Sequence, residues 1–171
     1  FIIRQLAAEG WAVRGTIRNL ARAEEVRATL GLPDLPLIAA DLTGDAGWAE
    51  AMAGCDYVQH IASPIPQAEP KDENELIVPA REGALRALRF ARTAGVKRVV
   101  MTSSMAAIAY GHPEPRPVFN ESHWTNPSSP DAYAYIRSKT IAERAARDWM
   151  TAHGAPMEYV SINPAAVLGP V

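Results

Sequence analysis

A tyrosine and a lysine stand four residues apart in the segment YAYIRSK. If this segment is helical, Tyr135 and Lys139 lie on one face, because residues four apart in an α-helix are neighbours, and Tyr133 falls outside the pair. A tyrosine hydroxyl ordinarily ionises at a pH of about 10, and an ammonium group beside it favours the phenolate. Such a pair can exchange a proton with an alcohol or a carbonyl.

The residues around the pair predict the helix that would align it. Asp131 can cap the N-terminus, Ile141, Ala145 and Trp149 form an apolar stripe at a spacing of four, and the next proline is Pro156. The same spacing of tyrosine and lysine also occurs by chance, as a half-buried ring beside a solvated charge. The rest of the chain therefore has to decide between the two interpretations.

Composition limits the class of protein. The chain has 171 residues, of which 48% are hydrophobic and 21% charged, as in one globular domain with a sizeable core. A net charge of −2 without a basic cluster argues against nucleic acid and anionic membrane as partners, and no apolar run approaches the roughly 20 residues of a bilayer span. Cys55 is the single cysteine, so a reducing, cytoplasmic compartment is expected. The histidines show no metal-ligand spacing, so we expect no metal site.

Strand-like and helix-like segments alternate along the chain. Strands are predicted over residues 11–18, 35–41, 56–63, 97–104 and 157–164, and helices over residues 1–9, 19–30, 46–54, 73–94 and from 131 onward. This alternation predicts a doubly wound α/β fold with a parallel sheet. Ligands bind beyond the carboxyl ends of the strands in such folds, which here are Arg18, Asp41, Ala62–Ser63, Ser103–Ser104 and Asn163–Pro164.

Eight segments in order resemble the extended short-chain dehydrogenases/reductases. They are VRGTIRN, AADL, GCDYVQHIASP, ENELIVPAREGALRAL, GVKRVVMTSS, FNESHW, YIRSKTIAERAA and INPAAVLGP. Within that group the chain is most similar to the branch of dihydroflavonol reductases, cinnamoyl-CoA reductases and microbial aldehyde reductases. The segment FNESHW discriminates best, because sugar epimerases of the same superfamily usually lack a tryptophan-bearing loop there.

The resemblance implies a Ser-Tyr-Lys triad. Ser104 would hydrogen-bond the substrate carbonyl, Tyr135 would donate the proton, and Lys139 would assist Tyr135 and hold the nicotinamide ribose. Trp124 would lie on the substrate side, although packing is an alternative role for this ring. The implied reaction is the NADPH-dependent reduction of an aldehyde or ketone, a small molecule, by a monomer or homodimer.

The resemblance also implies an NADP(H) site, with NAD(H) as a possible substitute. Arg18 would face the 2′-phosphate, because a planar guanidinium suits that group. The other implied contacts are Asp41 and Leu42 at the adenine, Ile61, Ala62 and Ser63 along the cofactor path, and Pro164 and Val167 at the nicotinamide. Asp41 can equally serve only to close a turn, and His60 is expected to satisfy a core hydrogen bond.

Two other functions fit the same resemblance. One is an NAD-dependent nucleotide-sugar epimerase or dehydratase with the same fold and triad, and the other is a cofactor-sensing protein without catalysis. The intact triad argues against the second, because such relatives generally lose the tyrosine–lysine pair. Two positions depart from the family pattern: Arg86 stands where many members carry an asparagine, and Glu25 where plant relatives carry a lysine.

Compared with the family pattern, the chain begins after the first strand and its Gly-rich turn and ends before the substrate lobe. In the strand order 3-2-1-4-5-6 that first strand is central, between residues 11–18 and 56–63, which are predicted to be apolar and buried. Residues 1–171 are therefore expected to be a partial dinucleotide-binding domain with exposed sheet edges, inactive when expressed alone.

Overall fold

The computed structural model describes residues 1–65, 68, 70–114, 118–167 and 169. Within these residues, helices and strands alternate as predicted. The helices are α1 (Ile2–Ala8), α2 (Ala23–Leu30), α3 (Trp48–Met52), α4 (Asn74–Thr93) and α5 (Ala134–His153), and the strands are β1 (Gly15–Ile17), β2 (Leu37–Ala39), β3 (Tyr57–His60), β4 (Arg98–Thr102) and β5 (Glu158–Ile162). Every strand pair is parallel, which confirms the doubly wound α/β class.

The described strands form two sheets. One has the order β1-β2 and the other the order β3-β4-β5. The Trp11 and Tyr57 rings meet edge to face, with their centres 5.8 Å apart. Tyr57 of β3 is 48% exposed, because β3 pairs only with β4 among the described residues.

Each strand is shorter than its predicted segment. The pairing of β1 with β2 extends only from Gly15 opposite Leu37 to Ile17 opposite Ala39, because a strand ends where its hydrogen-bonding partner ends. The residues predicted at the strand ends consequently lie one to three positions beyond the last pair. Ser103 and the residues that follow it are therefore in loops at the carboxyl edge of their sheet.

One prediction about α5 is wrong. Its N-cap is Tyr133, and the Asp131 carboxylate instead accepts a hydrogen bond from the Ser129 hydroxyl. The apolar stripe of Ile141, Ala145 and Trp149 lies on the predicted helix and is half-buried, whereas the deeply buried face carries Ile136, Ser138, Lys139, Thr140, Ala142, Glu143 and Ala146. Of the polar groups on this face, Glu143 is hydrogen-bonded to neighbouring elements, whereas the Ser138 hydroxyl donates to the Tyr135 carbonyl within α5.

The main core lies between α4 and the β3-β4-β5 sheet. Leu88 of α4 and Val99 of β4 are almost completely buried there, with Ala84 and Ala91 about one turn on either side of Leu88 and Met101 completing the sheet face. Small residues on α4 allow α5 to pack closely beside it, so this core fixes the position of α5 over the sheet. No helix in the described part of the chain has the length and hydropathy needed to cross a bilayer.

Candidate active site

The structure brings Tyr135 and Lys139 together on α5. The Lys139 ammonium nitrogen lies 5.6 Å from the centre of the Tyr135 ring. Tyr133 stands at the N-cap, 51% exposed, and so is outside the pair. The helix register derived from the spacing is therefore the one that the structure has.

Lys139 is a buried cation, only 7% exposed, and its burial lowers its pKa. Among the described residues no carboxylate forms an ion pair with it. Its side chain lines a small cavity of about 20 Å³ together with Ala62 and Ser63, two residues predicted on the cofactor path. A cavity of that size holds about one water molecule. The structure thus places Lys139 beside two other residues that were predicted to bind the cofactor.

His60 forms another wall of this cavity. Its imidazole packs against the Trp48 ring, with 6.3 Å between centres, and the core hydrogen bond predicted for it is not formed with any described residue. Burial, together with the nearby charge of Lys139, lowers the pKa of His60 to about 4. The ring is therefore neutral at physiological pH.

The two serines at the end of β4 have different roles. Ser103 is buried, and its hydroxyl donates to the Glu143 carboxylate at 2.5 Å. Ser104 is half-buried and begins a 3₁₀ turn over Met105–Ala107, where its Oγ accepts from the Ala106 amide at 3.1 Å. The hydroxyl hydrogen of Ser104 thus has no acceptor among the described residues, and this serine can donate to a ligand.

The turn that follows Ser104 is attached to the first turns of α5. The Ala106 carbonyl accepts hydrogen bonds from the hydroxyl groups of Thr125 at 2.7 Å and Thr140 at 3.4 Å. Ala106 also belongs to a small apolar cluster against which Tyr135 packs. These contacts place the serine turn directly beside the tyrosine–lysine pair.

Arg18 lies at the opposite end of the predicted site. It follows β1 directly, is exposed, and its guanidinium forms no ion pair within the described residues. Next to it, Asp41 accepts from the amide and hydroxyl of Thr43 at 2.8 and 2.5 Å. These hydrogen bonds lower the pKa of Asp41, and the charges of Arg18 and Arg86 lower it further. Asp41 therefore closes the turn after β2, the structural role that the sequence left open.

The two departures from the family pattern each have a local partner. Arg86 donates to the Leu42 carbonyl and to the Asp45 carboxylate, so it holds the turn after β2 against α4. Glu25 accepts two hydrogen bonds from Arg22, at 2.7 and 2.9 Å. The negative charge of Glu25 is thereby balanced by a neighbour on the surface.

The predicted nicotinamide end adjoins Ser104. The Pro164 carbonyl accepts from the Met105 amide at 2.9 Å, and the Asn163 side chain donates to the Ser104 carbonyl at 3.0 Å. Ile61 and Val167 are exposed, so they have surface available for a ligand.

Trp124 is half-buried against the side chains of α5. Its ring is covered by the guanidinium groups of Arg144 and Arg147, whose central carbons are 5.0 and 5.6 Å from the ring centre. It lines a cleft of about 260 Å³, and the described lining of that cleft includes neither Ser104 nor Tyr135. These contacts favour a packing role for Trp124, and its place on the substrate side stays a prediction.

Residues 1–171 match the model of the NAD dependent epimerase/dehydratase family over their whole length. The chain belongs to this family. It is 34% identical over 180 residues to a dihydroflavonol 4-reductase of Hordeum vulgare, an alignment that covers 99% of this chain and 50% of the relative. This similarity confirms the dihydroflavonol reductase branch that the sequence motifs indicated.

Solved structures with a similar fold agree with this family assignment. Gre2 of Candida albicans in complex with NADPH superimposes with a TM-score of 0.86 at 26% identity, over 99% of this chain and 54% of that one. Yeast methylglyoxal/isovaleraldehyde reductase Gre2 complexed with NADPH gives a TM-score of 0.84 at 27% identity, over 99% and 55%. The chain thus spans about half the length of the relatives it matches.

One buried carboxylate at the candidate active site of this epimerase/dehydratase family member was not predicted from the sequence. Glu143 is 1% exposed and accepts hydrogen bonds from four side chains, including Ser103 and Arg147. It follows Lys139 by four residues, the same helical spacing that separates Tyr135 from Lys139. A glutamate at the next position of this four-residue spacing is the sequence signal that could have identified Glu143.

Proposed function

We propose that the protein carrying this chain is an NADP(H)-dependent reductase that converts an aldehyde or ketone to the alcohol. The observation that carries the proposal is the placement of Tyr135 and Lys139 on one face of α5, beside the turn that presents Ser104. Its similarity to proteins named as reductases, two of them complexes with NADPH, supports the same assignment.

The side chains available fit such a cofactor. Lys139 has a buried ammonium without an ion-pair partner in the described residues, next to a small cavity, which suits the hydroxyl groups of a ribose. Arg18 has an exposed guanidinium, which can bind a phosphate with two parallel hydrogen bonds. We therefore assign Lys139 to the nicotinamide ribose and Arg18 to the 2′-phosphate, with further contacts from Asp41, Leu42, Ile61, Ala62, Ser63, Pro164 and Val167.

Hydride transfer is the chemistry that a nicotinamide cofactor supplies when it is bound. The chain holds the carbonyl and delivers the proton. Ser104 donates its free hydroxyl hydrogen to the carbonyl oxygen. Tyr135 gives its phenolic proton to that oxygen as negative charge develops there, and the ammonium of Lys139 stabilises the phenolate that remains.

The test compares two tyrosines in the intact protein. NADPH consumption is followed with a panel of aldehydes, ketones and flavanonols for the parent, Tyr135→Phe and Tyr133→Phe. Tyr135→Phe should lower turnover by about two orders of magnitude or more, because it removes the proton donor, while the NADPH dissociation constant stays unchanged. Tyr133→Phe is the matched control and should be mild.

Two outcomes would contradict the proposal. A larger loss in Tyr133→Phe than in Tyr135→Phe would place the proton donor outside the pair. Conversion of nucleotide sugars without net NADPH consumption, and no reduction of the carbonyl panel, would favour the epimerase alternative instead.

A further inference from the structure

Glu143 is a buried carboxylate that the proposed reaction does not use. It is 1% exposed and sits on α5 one turn after Lys139. One of its oxygens accepts from the Ser103 hydroxyl at 2.5 Å and from the Asn163 side-chain amide at 2.7 Å. The other accepts from the Ser161 hydroxyl at 2.7 Å. A single side chain of α5 therefore holds the carboxyl ends of both β4 and β5.

The donors to Glu143 surround Ser104. Ser103 precedes it in the chain, and the Asn163 side-chain nitrogen donates both to Glu143 and to the Ser104 carbonyl, at 3.0 Å for the latter. An amide nitrogen carries two hydrogens, so both bonds can form at once. Ser104 is thus connected to α5 in two ways. Its chain neighbour Ser103 donates to Glu143, and the Asn163 amide donates to both Glu143 and the Ser104 carbonyl.

Arg147 extends the same network toward the loop of Trp124. Its guanidinium donates to the second oxygen of Glu143 at 3.0 and 3.1 Å and to the Ser161 hydroxyl at 2.7 Å. The central carbon of the same guanidinium lies 5.6 Å from the centre of the Trp124 ring. Glu143 is therefore the meeting point of two strand ends and the Trp124 loop.

The network requires a charged acceptor. Burial alone would raise the pKa of Glu143, but the hydrogen bonds from Ser103, Ser161, Asn163 and Arg147 outweigh it and lower the pKa. The group is therefore a carboxylate, which only accepts hydrogen bonds. A glutamine in its place keeps the shape but turns an NH₂ group toward the donors of Asn163 or Arg147, neither of which can accept.

We propose that Glu143 is a positioning residue that sets the place of Ser104 relative to Tyr135 and Lys139. The proposal rests on the proposed reductase function, in which Ser104 contacts the substrate carbonyl. Replacing the carboxylate should let the strand ends shift, and a displacement of about 1 Å at a reacting group can cost about a hundredfold in rate. The effect belongs to turnover rather than to cofactor binding, because none of the hydrogen bonds of Glu143 is made with a residue assigned to the cofactor.

A double-mutant cycle in the intact protein tests this positioning role. Glu143→Gln should lower kcat by about ten- to a hundredfold and leave the NADPH dissociation constant unchanged, and Asp148→Asn, an exposed acid on the same helix, should change neither. In a Ser104→Ala background the effect of Glu143→Gln should largely disappear, since it acts through that hydroxyl. A loss that is equally large in both backgrounds would overturn the proposal.

Hydrogen exchange provides a readout that does not depend on turnover. In Glu143→Gln the amides of Met105 and Ala106, which donate to the Pro164 carbonyl and to Ser104, should exchange faster, while those of α4 keep their protection. Unchanged exchange at these two amides would overturn the positioning role. If the protein reduces no carbonyl, the proposed function fails, and the exchange result alone decides the role of Glu143. If Glu143→Gln does not fold, Asn163→Ala is the second variant. It removes only the bridging amide and should speed the exchange of the same two backbone amides.

Discussion

Replacing His60 with glutamine should make the protein less sensitive to acid. The imidazole is buried against Trp48 and near the Lys139 ammonium, and both burial and that charge disfavour its protonated form. In the unfolded chain neither influence remains. The folded protein therefore resists a protonation that the unfolded chain accepts.

The size of the effect follows from the two pKa values. The pKa of His60 falls from 6.5 to about 4 on folding. The contribution of the neutral His60 ring to the free energy of unfolding is fully present above pH 6.5. It is lost as the pH falls toward 4, because between these two pH values the unfolded state binds more protons than the folded state. The whole fall corresponds to about 3 kcal/mol, and about 2 kcal/mol of it should be lost between pH 7 and a pH of about 4.5.

The assay is the free energy of unfolding by urea, at both pH values, for the parent and for His60→Gln. The decrease between the two pH values should be about 2 kcal/mol smaller in the variant, and other titrating groups cancel in this comparison. His153→Gln, which changes an exposed histidine, should alter the decrease much less. The reasoning would be refuted by equal decreases in parent and His60→Gln, or by an NMR titration that gives His60 a pKa near its ordinary value.

Three further predictions concern the cofactor and stability. Arg18→Ala should cost about 1.5–3 kcal/mol of binding with NADPH and little with NADH, because only the former has a 2′-phosphate; steady-state kinetics with both cofactors checks this, and equal losses would mean that Arg18 is structural. Leu88→Ala should lower the free energy of unfolding by about 2–5 kcal/mol in urea titrations, because Leu88 is fully buried. Gly47→Ala should destabilise more than Gly54→Ala: both glycines have positive φ, 78° and 69°, but only at Gly47 would a Cβ lie 1.7 Å from a backbone oxygen, that of Ala39. The same titrations rank the two variants, and equal costs would contradict this account.

The order of elements could be predicted from the sequence, but their ends could not. Alternating apolar segments broken by residues such as Gly10 and Gly31 were sufficient to place every helix and strand named above. The last paired residue of a strand depends on where its neighbour stops, as Ile17 opposite Ala39 illustrates, and that neighbour is distant in sequence. Tyr57 is exposed for the same reason, since its exposure depends on which strands lie beside β3.

The candidate site was predictable where local helical spacing decides the geometry. Tyr135 and Lys139 meet because four residues make about one turn, whatever surrounds them. Hydropathy alone, in contrast, does not identify the buried face of α5, because Glu143 and Thr140 are polar and form hydrogen bonds there. The partners of such groups come from other elements, as Ser161 does, so no local pattern indicates them.

The distribution of the predicted site residues over different strand ends has a consequence for protein engineering. Arg18 and Asp41 follow β1 and β2, whereas Ser104 and Asn163 follow β4 and β5, and among the described residues no hydrogen bond joins the two pairs. Libraries that vary the first pair to exchange one nicotinamide cofactor for another can therefore be screened separately from libraries that vary the surroundings of Ser104. Beneficial substitutions from the two searches should then combine additively in a single variant.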